Sequence, residues 1–241
     1  MNATIQVEDL RVQFPGGRKA VDGVSLRVPA GGVLALLGSN GAGKSTTMKV
    51  IAGTWPATAG RVRLAGQEVH AAGSGAPGVR VGYCPDVGGL PALMTVRELI
   101  GITLADTGRL DLWPSALELA GRLGVSDRLD SRTHTFSHGV SRRVSVLLAC
   151  LAQDGILLLD EPFDGVDPVG AQVVCDLVAQ HRDAGGAAIV STHQLEWATK
   201  VGDQVAVMVD GKVRDAGRAR DFTGKRGAAR YRNALTGGGL R

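Results

Sequence analysis

Apolar positions along the chain change period several times, and each change marks an element. "IQVEDLRVQF" (5–14) and "AVDGVSLRV" (20–28) read as strands. "GVLALLG" (32–38) is apolar throughout and stops at glycine, which predicts a parallel strand buried on both faces that runs into a loop. Ser45 to Ala52 then predicts a helix. "RVRLAGQEV" (61–69) predicts a hairpin-like stretch turning at Ala65–Gly66, and "AAGSGAPGVR" (71–80) a loop of small residues. Between 95 and 153 the helical period takes over in "TVRELIGITLA", "WPSALELAGRL" and "SRRVSVLLACLAQ". Pro114 falls in a first turn, where its missing N–H costs nothing. Strand signals return in "GILLLD" (155–160) and "AAIVST" (187–192). "QVAVMVDGKVRDAG" alternates about Asp210–Gly211, a strong hairpin signal. From Arg218 the chain carries Arg220, Lys225, Arg226, Arg230 and Arg232 among Gly and Ala, which predicts a weakly ordered end. The sum is an α/β core with a helical insertion in its middle and β-hairpins at its margins.

Composition narrows the class. With 241 residues, 44% hydrophobic and 21% charged, the chain is expected to be globular, one large domain or one domain with a subdomain. A net charge of +4 is too small to argue for nucleic acid, and no nucleic-acid partner is expected. Cys84, Cys150 and Cys175 show no C-x-x-C spacing, which fits a reducing compartment and offers no metal site. "MNATIQVEDL" has no signal pattern, and no apolar run reaches the ~18 residues of a membrane span. The expectation is a soluble chain whose role at a membrane requires a partner.

Two motifs carry chemistry. "GSNGAGKST" (38–46) fits G-x-x-x-x-G-K-[ST] and stands between a predicted strand and a predicted helix, the context this phosphate-binding loop requires. Its candidate nucleotide-binding residues are Gly38, Ser39, Asn40, Gly41, Ala42, Gly43, Lys44, Ser45 and Thr46. The glycines let backbone N–H groups approach a phosphate at a helix N-terminus, Lys44 reaches the β- and γ-phosphates, and Ser45 is a ligand for Mg²⁺. "ILLLDEP" (156–162) ends an apolar strand in Asp160 and Glu161, where a parallel sheet places its ligands. Asp160 suits Mg²⁺; Glu161 suits a general base on water, worth ~10²–10⁴ in rate. "FSHGVSRRV" (136–144) stays open at this level: it starts a Ser–His nucleophilic site, or it is a helix start that holds an anion.

"LLGSNGAGKSTT", "VGYCPD", "FSHGVSRRV", "ILLLDEPFDGVDP" and "IVSTHQLEWA", in that order, resemble the ATP-binding subunit of ABC transporters over about residues 4–217. The resemblance implies a P-loop NTPase (RecA-like) α/β core with an antiparallel β subdomain and an inserted α-helical subdomain at about 90–150, and a separate basic tail over 218–241. It aligns "FSHGV" with the family signature. Ser137 and the Gly139 N–H then contact ATP held by a second ATP-binding subunit, a homodimer mate or a paralogue, with Arg142 and Arg143 on the helix behind them. His138 is then no catalytic base, and a plain helix cap by Ser137 is the competing reading. His193 matches the switch histidine beside the γ-phosphate, and Asp167 the loop that touches the partner subunit. Phe14 matches the aromatic that stacks on adenine, against the alternative of a core phenylalanine.

The match also has departures. Asp86 stands where many relatives have a glutamine that senses Mg²⁺; it can bind Mg²⁺ through water, and its charge repels the γ-phosphate. His138 replaces a signature glycine and Val140 a glutamine. The implied protein hydrolyses ATP with Mg²⁺ and powers a transmembrane permease, most like bacterial ABC-2-type exporters, from the cytoplasmic face of the membrane. "GGLPALM" (88–94) is the implied docking edge. The alternative is a degenerate or non-transport ABC-type ATPase that serves as a regulatory or assembly module.

Overall fold

Two sheets organise the chain in the computed structural model, which describes residues 4–69, 76, 78–86 and 89–236. Most of the loop expected at 71–80 lies outside the described residues, as do Val87 and Gly88. The strands in chain order are β1 (Ile5–Gln13), β2 (Lys19–Val28), β3 (Gly32–Leu37), β4 (Ala59–Leu64), β5 (Gln67–Glu68), β6 (Val81–Cys84), β7 (Ile156–Asp160), β8 (Ala187–Thr192), β9 (Gln204–Val209) and β10 (Lys212–Arg218). The smaller sheet runs β2-β1-β4-β5 and is antiparallel. The larger runs β10-β9-β3-β8-β7-β6; β10 is antiparallel to β9 and the other pairings are parallel.

The continuous apolar strands work because successive side chains point to opposite faces, and both faces are covered. Val33, Ala35 and Leu37 of β3 join one core, and Leu34 and Leu36 the other. Leu157 and Leu159 of β7 join the first core, Ile156 and Leu158 the second. In β1 the alternation breaks between Val7 and Leu10, where Asp9 takes a left-handed φ of 44° and the register shifts. This bulge keeps Ile5, Val7, Leu10 and Val12 all buried.

The helices are α1 (Lys44–Ile51), α2 (Val96–Thr107), α3 (Trp113–Arg122), α4 (His138–Ala152), α5 (Pro168–Asp183), α6 (Leu195–Val201) and α7 (Gly224–Thr236). Thr95 and Glu98 form a reciprocal capping box at the start of α2, and Pro114 lies in the first turn of α3 as expected. The helix expected from Ser141 starts three residues earlier, because Ser137 caps it.

Over residues 218–236, the described part, the C-terminal segment corrects the expectation of a weakly ordered end. Phe222 is fully buried. Arg230, on α7, holds Asp215 of β10 through two hydrogen bonds of 2.7 and 2.6 Å, and its guanidinium lies 4.3 Å from the centroid of the Phe222 ring. One apolar anchor and one bidentate pair are enough to dock a basic helix that looks solvated in the sequence. Among the described residues no helix is long and apolar enough to cross a membrane.

Candidate active site

The phosphate loop joins β3 to α1, and its glycines are needed for different reasons. A Cβ on Gly38 would stand 2.3 Å from the Met208 carbonyl oxygen, and one on Gly43 2.3 Å from that of Ala20, so packing excludes side chains there. Gly41 has φ +83° with nothing within 4 Å of its Cβ position: it needs glycine for its backbone conformation and faces open space.

A cavity of about 400 Å³ opens beside this loop, within the range of ligand sites. Asn40, Gly41, Gly43, Lys44, Ser45, Thr46, Asp86 and Glu161 line it, eight of the expected residues on one wall system. Lys44 is almost fully buried; its ammonium donates to the carbonyls of Gly38 (2.7 Å) and Ser39 (3.2 Å) and lies 3.0 Å from Glu161 Oε1. The other Glu161 oxygen, Oε2, is 3.0 Å from His193 Nδ1 and accepts the His193 backbone N–H at 3.3 Å. Glu161 holds this position with a left-handed φ of 50°, a strained backbone for a residue with a side chain, of the kind that collects at working sites. Ser191, opposite Asp160 in the parallel register, donates to Asp160 Oδ1 and accepts the Glu161 N–H at 2.9 Å.

Asp160 Oδ2 is buried without a hydrogen-bond partner. Burial pushes the Asp160 carboxyl up, against the opposing pull of the Ser191 and Ser45 hydroxyls. An orphaned buried carboxylate oxygen near a hydroxyl and a second carboxylate, Asp86, is a set of hard oxygen donors that fits Mg²⁺. Among the described residues no cluster of three or more His, Cys, Asp or Glu forms, and an Mg²⁺ ion held here would need phosphate or water oxygens to complete its shell.

Other expected residues stand apart from the cavity wall. Phe14 is half-buried and belongs to neither core. Its ring meets Trp55 edge-on at 5.7 Å and lies 5.0 Å from the guanidinium carbon of Arg18, and Arg18 does line the cavity. Ser137 and Gly139 do not line it. Ser137 caps α4, its hydroxyl accepting the Val140 N–H at 3.4 Å, rather than pairing with His138. His138 Nε2 lies 3.4 Å from Asp164 Oδ2. A Cβ on Gly139 would come within 2.2 Å of the Gly165 carbonyl oxygen, so the tip of α4 is packed directly on the 163–167 loop.

Asp167 and the two arginines that follow the signature find partners within the chain. Asp167 accepts the N–H groups of Val169 (3.0 Å) and Gly170 (2.9 Å) and caps α5; these bonds hold its carboxyl below the usual range. Arg142 and Arg143, on the helix behind Ser137, point into the protein. Arg143 donates to the carbonyls of Leu123 and Gly124, and Arg142 to those of Pro85, Asp86 and Asp160. The structure also adds Ser191, Arg18 and Lys19 to the site or its rim. Ser191 was visible as a polar residue ending an apolar strand; Arg18 and Lys19 carried no periodic signal.

A family model described as ABC transporter matches residues 21–164. The cobalt import ATP-binding protein CbiO of Rhodobacter capsulatus is 36% identical over all of this chain and 86% of its own length. The human ATP-binding cassette sub-family A member 9 is 35% identical over 90% of this chain, which spans only 14% of that protein. Among solved structures, an ATP-binding subunit of an ABC transporter superposes with a TM-score of 0.78 at 25% identity, covering 97% of this chain and 96% of the other. A dimeric, post-hydrolysis ATP-binding cassette bound to ADP and Pi shares the fold, with a TM-score of 0.77 at 19% identity over 90% of this chain and 99% of that one.

Proposed function

The chain belongs to the ABC transporter family as an ATP-binding domain, and on that premise we propose that it hydrolyses ATP at an interface between two such domains and drives a separate membrane permease. The observation that supports this best is the Glu161 carboxylate, set 3.0 Å from both the Lys44 ammonium and the His193 imidazole on the rim of the phosphate-loop cavity. That grouping supplies the three functions the reaction needs. Lys44 exchanges its protein partners for phosphate oxygens. His193 holds Glu161 in line through its ring and backbone nitrogens. Glu161 takes the proton of the attacking water. Ser45, Asp160 and Asp86 are the residues for Mg²⁺, which when bound neutralises charge on the β- and γ-phosphates.

Ser137 and the Gly139 N–H, at the tip of α4, reach the nucleotide of the second subunit in this reading, and Phe14 with Arg18 flanks the base. Residues 1–217 are the ATP-binding domain in this reading and 218–241 a separate basic tail, whose described part, to Thr236, packs on that domain. We assign the direction to export, on the acid at position 86 and the altered signature. The cobalt importer among the relatives speaks for the opposite direction. ATP-dependent uptake of a dye by inverted vesicles that hold the complex decides between them. The permease places the chain on the inner membrane face.

The primary test is direct. Lys44→Ala is expected to weaken ATP binding at least tenfold, read by equilibrium titration with a fluorescent ATP analogue. Unchanged affinity would remove the phosphate loop from the account.

A further inference from the structure

Asp86 lines the nucleotide cavity, where an unbalanced carboxylate would repel a γ-phosphate. It is not unbalanced. Arg142 Nη2 lies 3.1 Å from Asp86 Oδ1 and also donates to the Asp86 carbonyl. Its Nη1 donates to the carbonyls of Pro85 (2.6 Å) and Asp160 (3.1 Å). The Arg142 side chain is 3% exposed and that of Asp86 37%. A guanidinium stays protonated when buried, and carbonyl oxygens satisfy its hydrogen bonds without cancelling its charge. Among the described residues Asp86 is the carboxylate paired with it. A neutral residue at position 86 would leave a net positive charge beneath the cavity wall, and a neutral residue at 142 would leave a net negative one.

The same guanidinium also joins three segments. It rises from α4 five residues after Ser137, holds the turn that follows β6, and binds the last carbonyl of β7, directly before Glu161. We propose that Arg142 is a positioning residue whose charge cancels that of Asp86, so that the cavity wall carries no net charge to disturb the preference for ATP over ADP, and that it fixes the Asp86 turn against the end of β7. This rests on the ATP-binding reading above and assigns the role of its unusual acid: the aspartate works at this position because an arginine stands behind it.

The pair is tested by titrating ATP and ADP analogues against the whole chain, in EDTA and in Mg²⁺. In EDTA, Arg142→Gln is expected to lower the ATP-over-ADP preference by about fivefold, the size of one partly screened unit charge at this range. Asp86→Asn should raise it by a similar factor. The double variant should return to within about twofold of wild type, since it restores neutrality. A residue needed only for packing would shift neither ratio, and removing Asp86 would not rescue it. If Arg142→Gln does not fold, Arg142→Lys keeps the charge while losing carbonyl bonds; its preference should stay near wild type as Mg²⁺-dependent turnover falls. Single variants that move the preference the same way, or a double variant as displaced as either single, overturn the pairing. Absence of ATP binding by wild type would instead overturn the reading beneath it, and the pairing with it.

Discussion

Glu161→Gln tests the centre of the site in two independent ways. In the folded chain the Glu161 and Lys44 side chains are 8% and 5% exposed and stand 3.0 Å apart. Removing one member of a buried ion pair typically costs 3–5 kcal/mol, because the other charge is left without a partner. Here Lys44 keeps the carbonyls of Gly38 and Ser39, and the cavity admits water, so a penalty of about 1–2 kcal/mol is the reasonable scale. That penalty falls on the nucleotide-free state. An incoming phosphate relieves it, so the variant should bind ATP about five- to thirtyfold more tightly than wild type. The same substitution removes the base, and hydrolysis should fall by ~10²–10⁴, about 3–5 kcal/mol of barrier. Titration with a fluorescent ATP analogue reads the first effect and steady-state phosphate release the second. Equal ATP affinity in the two proteins would show that Lys44 does not exchange Glu161 for phosphate. Retained turnover would remove Glu161 from the base role, whatever the affinity.

Two further predictions concern the frame around the site. Phe222→Ala should cost about 3–5 kcal/mol in denaturant unfolding, since the ring is fully buried and anchors the segment that carries α7; a loss below 1 kcal/mol would mean the segment is not docked in solution. Asp167 has its carboxyl held low by the N–H groups of Gly170 and Val169, so its stabilising effect is complete above the unfolded-state value and disappears as pH falls through the folded one. Asp167→Asn should therefore lower the melting temperature near neutrality and narrow its gap to wild type in acid. A gap that does not change with pH would remove the charge from the argument.

The local chemistry was legible in the sequence because it is contiguous. The phosphate loop needs glycines, a lysine and a serine at fixed spacing on one strand–helix turn, and Asp160 and Glu161 end a strand that is apolar because both its faces are covered. The apolar run 156–159 alone also placed Asp160 and Glu161 at a strand end, where a parallel sheet gathers its ligands, while His193 was marked by the resemblance to ABC transporters.

Only the tertiary structure decided how charges that look alike are used. In the sequence Arg142 and Arg143 are only charges on the helix behind Ser137, and Arg230 belongs to an end expected to be weakly ordered, yet each is matched to carbonyls or a carboxylate far along the chain. Asp86 reads as a departure that repels phosphate, and packing against α4 gives it a counter-charge. Ser191 meets Asp160 only because β7 and β8 run side by side in one register. Periodicity reports which face of an element is apolar, and motif spacing reports what one turn of chain can hold. Neither contains the partner of a charge, because that partner is set by which elements pack together and by how far each side chain reaches when they do.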